Sequence, residues 1–199
     1  AFGFPASPHP FMFDGATCVV SGGKIQVHAK KGEPLPGEWA VDKDRQVVTD
    51  AQEAEDILAT AAFTEGEQKG GGVLTLGGSN EENSNYKGMG NSIVIELLTG
   101  ILAQGSISAD TVSGKHDFSQ FVMVLNPAFF GDPEVLKKDA TSMLDRIRQL
   151  EHIPGKEIWV PGDREYRLLA ENKEKGVTID EKTYQEMKEI GTELGIDVP

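Results

Sequence analysis

The sequence predicts a protein of the α/β class, because short apolar segments of strand character alternate along the chain with longer segments of helical character. The chain has 199 residues, of which 38% are hydrophobic and 26% charged, as is typical of globular proteins long enough to bury a core. The helical segments also carry recognisable start and stop residues. Together these observations favour one large domain, or one domain with an appended element.

The segments with strand character are rich in aromatic and β-branched residues. They are 1–5 (AFGFP), 11–13 (FMF), 118–125 (FSQFVMVL) and 158–160 (IWV). We expect the strand at 11–13 to be buried and to end at Asp14 and Gly15. Asn126 and Pro127 end the segment 118–125, because proline cannot donate a hydrogen bond to a neighbouring strand.

The segments with helical character lie between these strands and after them. They are 16–29, 50–62, 93–102, 132 to about 150, 163–175 and a last helix after 181. Pro133 suits the first turn of the fourth helix, and Gly176 is a typical stop for the fifth. Two adjacent glycines, Gly22 and Gly23, weaken the first helix.

One helix is apolar around most of its circumference. The apolar residues are Ile93, Val94, Ile95, Leu97, Leu98, Ile101 and Leu102. Because such a helix has no polar face to turn to water, we expect it to be central and buried. The apolar segment 92–103 is interrupted by Glu96 and is too short to span a bilayer.

The overall charge and the cysteine content indicate the surroundings of the protein. The net charge of −13 argues against nucleic acid or an anionic membrane as the main partner. The single cysteine, Cys18, cannot form an internal disulfide, so we expect a reducing, cytoplasmic compartment. No segment has the pattern of a signal peptide.

The segment Tyr86-Lys87-Gly88-Met89-Gly90 is the most informative candidate for a binding site. A lysine at the start of a helix opposes the helix dipole, and a bound phosphate would offset that conflict. Gly88 and Gly90 would let the backbone approach a bulky ligand. The alternative is a solvated lysine in a flexible loop, which the local sequence alone slightly favours.

Two further segments combine a turn with polar side chains. Asp14 follows an apolar run and leads to Thr17, so it either caps the next helix or accepts a hydrogen bond from a ribose hydroxyl; capping is the more common role. The turn Pro161-Gly162-Asp163-Arg164-Glu165 either caps a helix or contacts a phosphate or an adenine through backbone and guanidinium groups.

Several familiar motifs are absent from the sequence. No G-x-G-x-x-G follows a strand, and Ser113-Gly114-Lys115 lacks the upstream glycine of a P-loop. The histidines have no second ligand at metal spacing; they are His9, His28, His116 and His152. We therefore expect no metal site, and a structural role for Cys18.

Taken in order, these segments resemble the malate/L-lactate dehydrogenase-like family of NAD(P)-dependent oxidoreductases, which includes ureidoglycolate, sulfolactate and diketogulonate enzymes. The resemblance covers essentially the whole chain. The matching segments are AFGFP, FMFDGATCVVSGGKIQVHAKKGEPLPGEWAVD, VTD, LGG, YKGMG, GILAQG, VLNPAFFGDP, VPGDREYR and NKEKGVTIDEKTYQEM with GTELGI.

The resemblance implies a non-Rossmann cofactor-binding fold, with a mixed sheet and flanking helices. It implies a cofactor-binding domain over 1–131 and a C-terminal helical segment over 132–199. It places the contacts to NAD or NADP in three segments. Their residues are Met12, Phe13, Asp14, Gly15, Ala16, Thr17 and Cys18, then Tyr86 and Lys87, and finally Gly162, Asp163 and Arg164.

The chain also departs from the family pattern. Members are longer at the N-terminus, where a Ser-His-Gly motif supplies the histidine that gives and takes the proton and an arginine holds the substrate carboxylate. Neither motif is present here, so the resemblance implies the C-terminal, cofactor-binding portion of an enzyme acting on a malate- or lactate-like 2-hydroxy acid, without catalytic residues of its own. It further implies a homodimer. Either the polypeptide was truncated or nicked, or a separate N-terminal chain or fragment supplies the missing portion. A catalytically inactive nucleotide-binding or interaction module is the alternative.

Overall fold

The computed structural model of the chain describes residues 1–62, 70–111, 117–179 and 181–198. These residues form two compact units. The terminal unit combines Ala1–Asp14 with Asn126–Pro199, and the central unit is Gly15–Leu125. The functional division expected at residues 131 and 132 stays a prediction.

The secondary structure confirms the α/β class. The strands are β1 (Phe2–Phe4), β2 (Phe11–Phe13), β3 (Ala40–Val41), β4 (Val47–Val48) and β5 (Gly72–Val73). The helices are α1 (Gly22–Lys31), α2 (Ala51–Ala62), α3 (Asn85–Glu96), α4 (Ser108–Asp110), α5 (Pro133–Arg148), α6 (Asp163–Lys175) and α7 (Glu181–Leu194). A π-helical segment, Leu97–Leu102, continues α3, and a 3-10 turn lies at Pro127–Phe129. None of the described helices has the length and apolar character that a membrane-spanning helix requires.

In the terminal unit, β1 and β2 form an antiparallel hairpin with Phe2 opposite Phe13. Both predicted strands are confirmed, but the expectation that β2 is buried is wrong, since Met12 is 55% and Phe13 50% exposed. The reason is that the small core of this unit reaches only the Phe11 end of β2. That core consists of Ala6, Leu144 and Val160, with Phe11 packed against it.

The helices of the terminal unit follow their sequence signals closely. Asp132 caps α5 by accepting a hydrogen bond from the Glu134 N–H at 2.9 Å, and Pro133 occupies the first turn. The predicted limits of α6 are confirmed, with Gly176 directly after Lys175. The segment 158–160 is not a strand, although Val160 is buried.

The central unit packs α1 and α2 with a three-stranded antiparallel sheet of order β4-β3-β5. Its core is Val20, Ile25, Leu35, Ala40, Val48, Ala51, Ala54 and Ile57. The predicted helix at 50–62 is confirmed as α2, and the Asp50 carboxylate accepts a hydrogen bond from Glu53 N–H at 2.8 Å. This capping contact explains why the helix begins at Ala51.

The first predicted helix begins later than the sequence suggested, at Gly22 rather than near residue 16. Residues before it are held as extended backbone, because Leu76 N–H donates to Thr17 C=O and Val19 N–H donates to Leu74 C=O, both at 2.9 Å. These long-range hydrogen bonds override the local helix propensity. Gly22 therefore starts α1 instead of interrupting it.

The apolar helix is not buried within the central unit, which corrects the prediction for 93–102. Ile93 is 51%, Leu97 52% and Leu102 63% exposed. Along α3 and its π-helical continuation, the buried residues among those described are Gly88 and Gly100. The apolar pattern was interpreted as burial, but no described layer of this unit covers the helix.

The segment 118–125 is also not a strand in the described structure. It has no regular hydrogen-bonded partner among the described residues, and Val122 and Val124 are 79% and 87% exposed. The strand prediction was wrong here because a strand needs a neighbour, and sequence alone does not show whether one is present.

Candidate functional site

The predicted cofactor residues fall into two local groups, one in each unit. In the terminal unit they are Met12, Phe13, Asp14, Gly162, Asp163 and Arg164, and in the central unit they are Gly15, Ala16, Thr17, Cys18, Tyr86 and Lys87. Within each unit, residues distant in sequence come together.

In the terminal unit, Gly162 brings the turn before α6 against β2. Its φ of +100° is a conformation that other residues rarely adopt, and a Cβ there would lie 3.4 Å from Met12 N. Four residues later, the Tyr166 hydroxyl lies 3.2 Å from the Met12 sulfur and donates to it. Through these contacts, β2 and the start of α6 form one continuous surface.

A cavity of about 640 Å³ lies along this surface, between β2 and the start of α6. Its lining is mainly apolar and aromatic, and comprises Ala1, Phe2, Gly3, Met12, Phe13, Asp14, Pro161, Gly162, Glu165, Tyr166 and Leu169. The volume lies in the range of small-molecule sites, which are likewise apolar with a few polar groups. The structure thus joins four predicted cofactor residues in one cavity.

Asp163 is held by Arg148 and does not line that cavity. The Arg148 Nε and Nη2 groups donate to its two carboxylate oxygens at 2.9 and 2.7 Å, and Val160 N–H donates to Oδ2 at 3.1 Å. The bonds from Arg148 lower the pKa of Asp163, aided by the Val160 N–H and by the charges of Arg148 and His9, while burial opposes them. Asp163 therefore fixes the turn, and its direct contact with a cofactor stays a prediction.

Arg164 follows this fixed turn and is exposed. Its side chain forms no hydrogen bond or ion pair with the described residues. Its guanidinium is therefore available to an anion, in contrast to Arg148 and to Arg167, which pairs with Glu157 and Glu171.

In the central unit, Thr17 lies against the N-terminal half of α3. The Ser92 hydroxyl donates to Thr17 Oγ1 at 2.8 Å, and Cys18 pairs with Thr75 in an antiparallel bridge. Cys18 is a half-buried free thiol, as its expected structural role requires. The segment 15–18 and the start of α3 are therefore neighbours.

Gly88 is buried because α3 packs directly on the main chain of Leu76. A Cβ at position 88 would lie 2.7 Å from Leu76 N and 2.8 Å from Leu76 C, and closer still to its carbonyl oxygen. Gly88 therefore serves packing within the protein and not ligand approach, which corrects that part of the interpretation. Gly90 has open space around it.

Lys87 lies in the first turn of α3, as predicted, with its side chain exposed. Its ammonium lies 5.8 Å from the centre of the Tyr86 ring. Ser84, at the N-cap, makes no side-chain capping bond, and no acidic residue occurs in the first turn. The Lys87 N–H donates to Ser84 C=O at 3.0 Å. The helix start therefore combines a cation with a first turn that no side chain caps, an arrangement suited to an anion.

Two residues of these groups, Ser92 and Tyr166, were not predicted from the sequence, and Glu165 was expected in the turn but not among the cofactor contacts. Tyr166 is four residues after Gly162 on the emerging helix, a spacing that could have indicated it. Within the described ranges there is no cluster of three or more metal-ligating side chains. His116 lies outside the described residues.

The sequence profile of the malate/L-lactate dehydrogenase family matches residues 1–188. The chain belongs to this family. A malate dehydrogenase from Pyrococcus horikoshii is 28% identical over 201 residues, which are 99% of this chain and 52% of that protein. A solved structure of malate dehydrogenase from Pyrococcus horikoshii superposes with a TM-score of 0.76 at 26% identity, covering 99% of this chain and 51% of that one.

Two further relatives show the breadth and the fold of the family. A Δ1-pyrroline-2-carboxylate/Δ1-piperideine-2-carboxylate reductase from Pseudomonas putida is 30% identical over 199 residues, covering 96% of this chain and 50% of that protein. The crystal structure of malate dehydrogenase from Entamoeba histolytica shares the fold, with a TM-score of 0.85, 24% identity and coverage of 99% of this chain and 54% of that one. The chain thus spans about half the length of the curated relatives it matches.

Proposed function

We propose that this chain is the cofactor-binding portion of an NAD(P)-dependent oxidoreductase, which transfers hydride between the nicotinamide and C2 of a small 2-hydroxy acid or a related 2-imino acid. The observation that carries the proposal is the match to the dehydrogenase family over residues 1–188, together with the cavity between β2 and the start of α6. The relatives named as malate dehydrogenases and pyrroline-2-carboxylate reductases support that class of substrate.

The residues present fit such a cofactor. The aromatic lining of the cavity offers flat apolar surface to a nucleoside base. The exposed ammonium of Lys87, at the start of α3, would contact a phosphate or ribose, and the exposed guanidinium of Arg164 would contact a phosphate beside the Gly162 turn. The dinucleotide supplies the hydride chemistry when bound, and these residues bind and orient it.

In this proposal, the proton donor and acceptor of the acid–base step is not a residue of this chain. By resemblance, the proton donor and acceptor is the histidine of a Ser-His-Gly motif, which is absent from the sequence. We expect the chain by itself to bind the cofactor and to oxidise neither malate nor lactate. Steady turnover of either acid by this chain alone would contradict that expectation.

The binding role of Lys87 is tested by the variant Lys87→Met. We expect NADH or NADPH affinity, measured by calorimetry, to fall about ten-fold because a charge-assisted phosphate contact is lost. The circular dichroism spectrum should not change, since the side chain is exposed. Lys30→Met, which removes the same charge from the exposed surface of α1, is the matched control; equal affinities in both variants would return Lys87 to the role of a solvated lysine.

A second polypeptide is part of the proposal. Two separate globular units of these sizes would expose about 11,000 Å² in total, whereas the chain exposes 15041 Å². Large hydrophobic side chains are exposed along α3 with its π-helical continuation and along 118–125. We propose that these surfaces are covered by a second copy of the chain in a homodimer and by a polypeptide equivalent to the N-terminal portion of the relatives.

Light scattering on the purified chain tests the dimer. We expect a mass near twice 21.5 kDa that falls to the monomer value in Leu97→Ser. A monomer at every concentration would refute the homodimer. The N-terminal polypeptide is tested separately, by measuring whether its co-expression with this chain gives turnover of malate or lactate.

A catalytically inactive nucleotide-binding or interaction module is the second candidate. It predicts that no co-expressed N-terminal polypeptide restores turnover. If in addition neither NADH nor NADPH raises the melting temperature, the nucleotide-binding role fails as well. We propose a cytoplasmic location on the single free cysteine.

A further inference from the structure

We infer that Asp14 and Glu165 make the cavity between β2 and the start of α6 select NAD(H) over NADP(H). This inference rests on the proposed function, because it concerns which dinucleotide the same site binds. The two cofactors differ in one group, a phosphate on the 2′-hydroxyl of the adenine ribose, so the charge around that ribose decides between them.

The cavity has the size and walls that an adenosine group needs. Phe2 and Phe13 of the hairpin lie on one side, and Tyr166 and Leu169 of α6 on the other, around about 640 Å³. Phe2 is 60% and Phe13 50% exposed, so both side chains keep surface for contact with a flat base. Aromatic and aliphatic walls favour the base through stacking and burial of apolar surface.

The charged side chains that line this cavity are both acidic. Asp14 follows β2, and Glu165 lies in the first turn of α6. Among the described residues that line the cavity there is no lysine, arginine or histidine side chain. The terminal amine of Ala1 lies 3.8 Å from the Asp14 carboxylate, but both groups are largely exposed, so this ion pair is weak.

The basic residues of α6 are directed to other partners or lie outside the lining. Arg167 pairs with Glu157 and Glu171, at 3.5 and 3.1 Å, and covers the Trp159 ring. Arg164 is not among the lining residues. The lining itself therefore offers acceptor oxygens for a ribose and no cation for an additional phosphate, and Arg164, at the neighbouring turn, is assigned to the phosphates that both cofactors share.

The chemistry of the two ribose forms then decides the preference. A carboxylate accepts a hydrogen bond from a free 2′-hydroxyl, whereas it repels a 2′-phosphate, which carries nearly two negative charges at neutral pH. Both carboxylates are exposed in the free chain, so we expect this repulsion to give a preference for NAD(H) of about ten-fold once the bound adenosine displaces water from them. Glu165 thereby becomes a specificity residue in addition to Asp14.

The test measures binding of NADH and of NADPH to the full chain by calorimetry, independently of turnover. We expect the parent to bind NADH about ten-fold more tightly than NADPH. In Asp14→Asn, Glu165→Gln and the double variant, NADPH affinity should rise and the ratio should approach one. Glu174→Gln removes the same charge from the same helix, roughly 13 Å away along its axis, and should leave the ratio unchanged.

The outcomes separate the inference from the proposed function. If neither dinucleotide binds the parent, the proposed cofactor role fails, and the inference fails with it. If both bind but NADPH binds as well as or better than NADH, the cofactor role stands and the inference is overturned. The inference is also overturned if the ratio changes equally in Glu174→Gln, since that would reflect net charge alone. Circular dichroism checks that each variant is folded.

Discussion

The close packing of Gly88 on Leu76 allows a prediction in which one chemical change has opposite effects two residues apart. Gly88→Ala adds a methyl group that would lie 2.7 Å from Leu76 N and 2.8 Å from Leu76 C. Gly90→Ala adds the same group to the same helix in open space. The pair therefore separates the packing role of Gly88 from the general cost of glycine in a helix.

The magnitudes follow from these distances. Carbon and nitrogen atoms not bonded to each other normally stay about 3.5 Å apart, so α3 must move by about 0.7 Å or more. Main-chain atoms cannot yield by changing rotamer, so the cost is near the upper end of overpacking, about 3 kcal/mol. Alanine recovers about 0.5–1 kcal/mol of helix propensity. The net loss in Gly88→Ala is therefore about 2 kcal/mol, against a gain of about 0.5–1 kcal/mol in Gly90→Ala.

Urea denaturation followed by circular dichroism measures both free energies of unfolding. Thermal melts should show Gly88→Ala about 4–8 °C below the parent and Gly90→Ala slightly above it. The same displacement would loosen the Ser92–Thr17 hydrogen bond, so cofactor affinity should fall only in Gly88→Ala. Equal or greater stability in Gly88→Ala would refute the packing argument.

Two other predictions concern the terminal unit. The pKa of Asp163 is lower in the folded chain than in the unfolded chain, so its stabilising contribution is present above the unfolded pKa of about 4 and is lost as pH falls through the folded pKa. In Asp163→Asn, the free energy of unfolding should therefore fall less steeply as the pH is lowered. An unchanged pH dependence would show that the ion pair with Arg148 is unimportant. Gly162→Ala should destabilise by about 1–3 kcal/mol, from positive φ and contact with β2, and should weaken dinucleotide binding in calorimetry. Gly155→Ala, also at positive φ but with nothing within 4 Å, isolates the conformational part of that cost.

Helices with both a start and a stop signal could be predicted from the sequence. Asp132 with Pro133 fixed the start of α5, and Gly176 fixed the end of α6, because capping acts through residues adjacent in the chain. Local rules failed where distant backbone supplied the hydrogen bonds. Thr17 and Val19 pair with residues more than fifty positions away, so the first helix could not start at residue 16.

Burial could not be predicted from apolar pattern alone. The residues around Leu97 have the composition of a buried helix, yet the pattern does not say which layer covers them or whether that layer belongs to the same unit. The candidate site shows the same division. The turn at Gly162 could be predicted from its residues, but the bidentate bond of Arg148 to Asp163 joins two helix ends that only the fold brings together.

Because Gly88 contacts main-chain atoms, the residues that position Lys87 differ from those that surround it and affect which ligand binds. Since the first turn of α3 rests on the backbone of residue 76, substitution of the exposed side chains around it leaves that support in place. Leu76, Tyr86 and Met89 are 45%, 57% and 52% exposed. Substitutions at these positions can therefore reshape the surroundings of Lys87 while the helix stays in place, which gives members of one fold a route to diverge in ligand preference without losing stability.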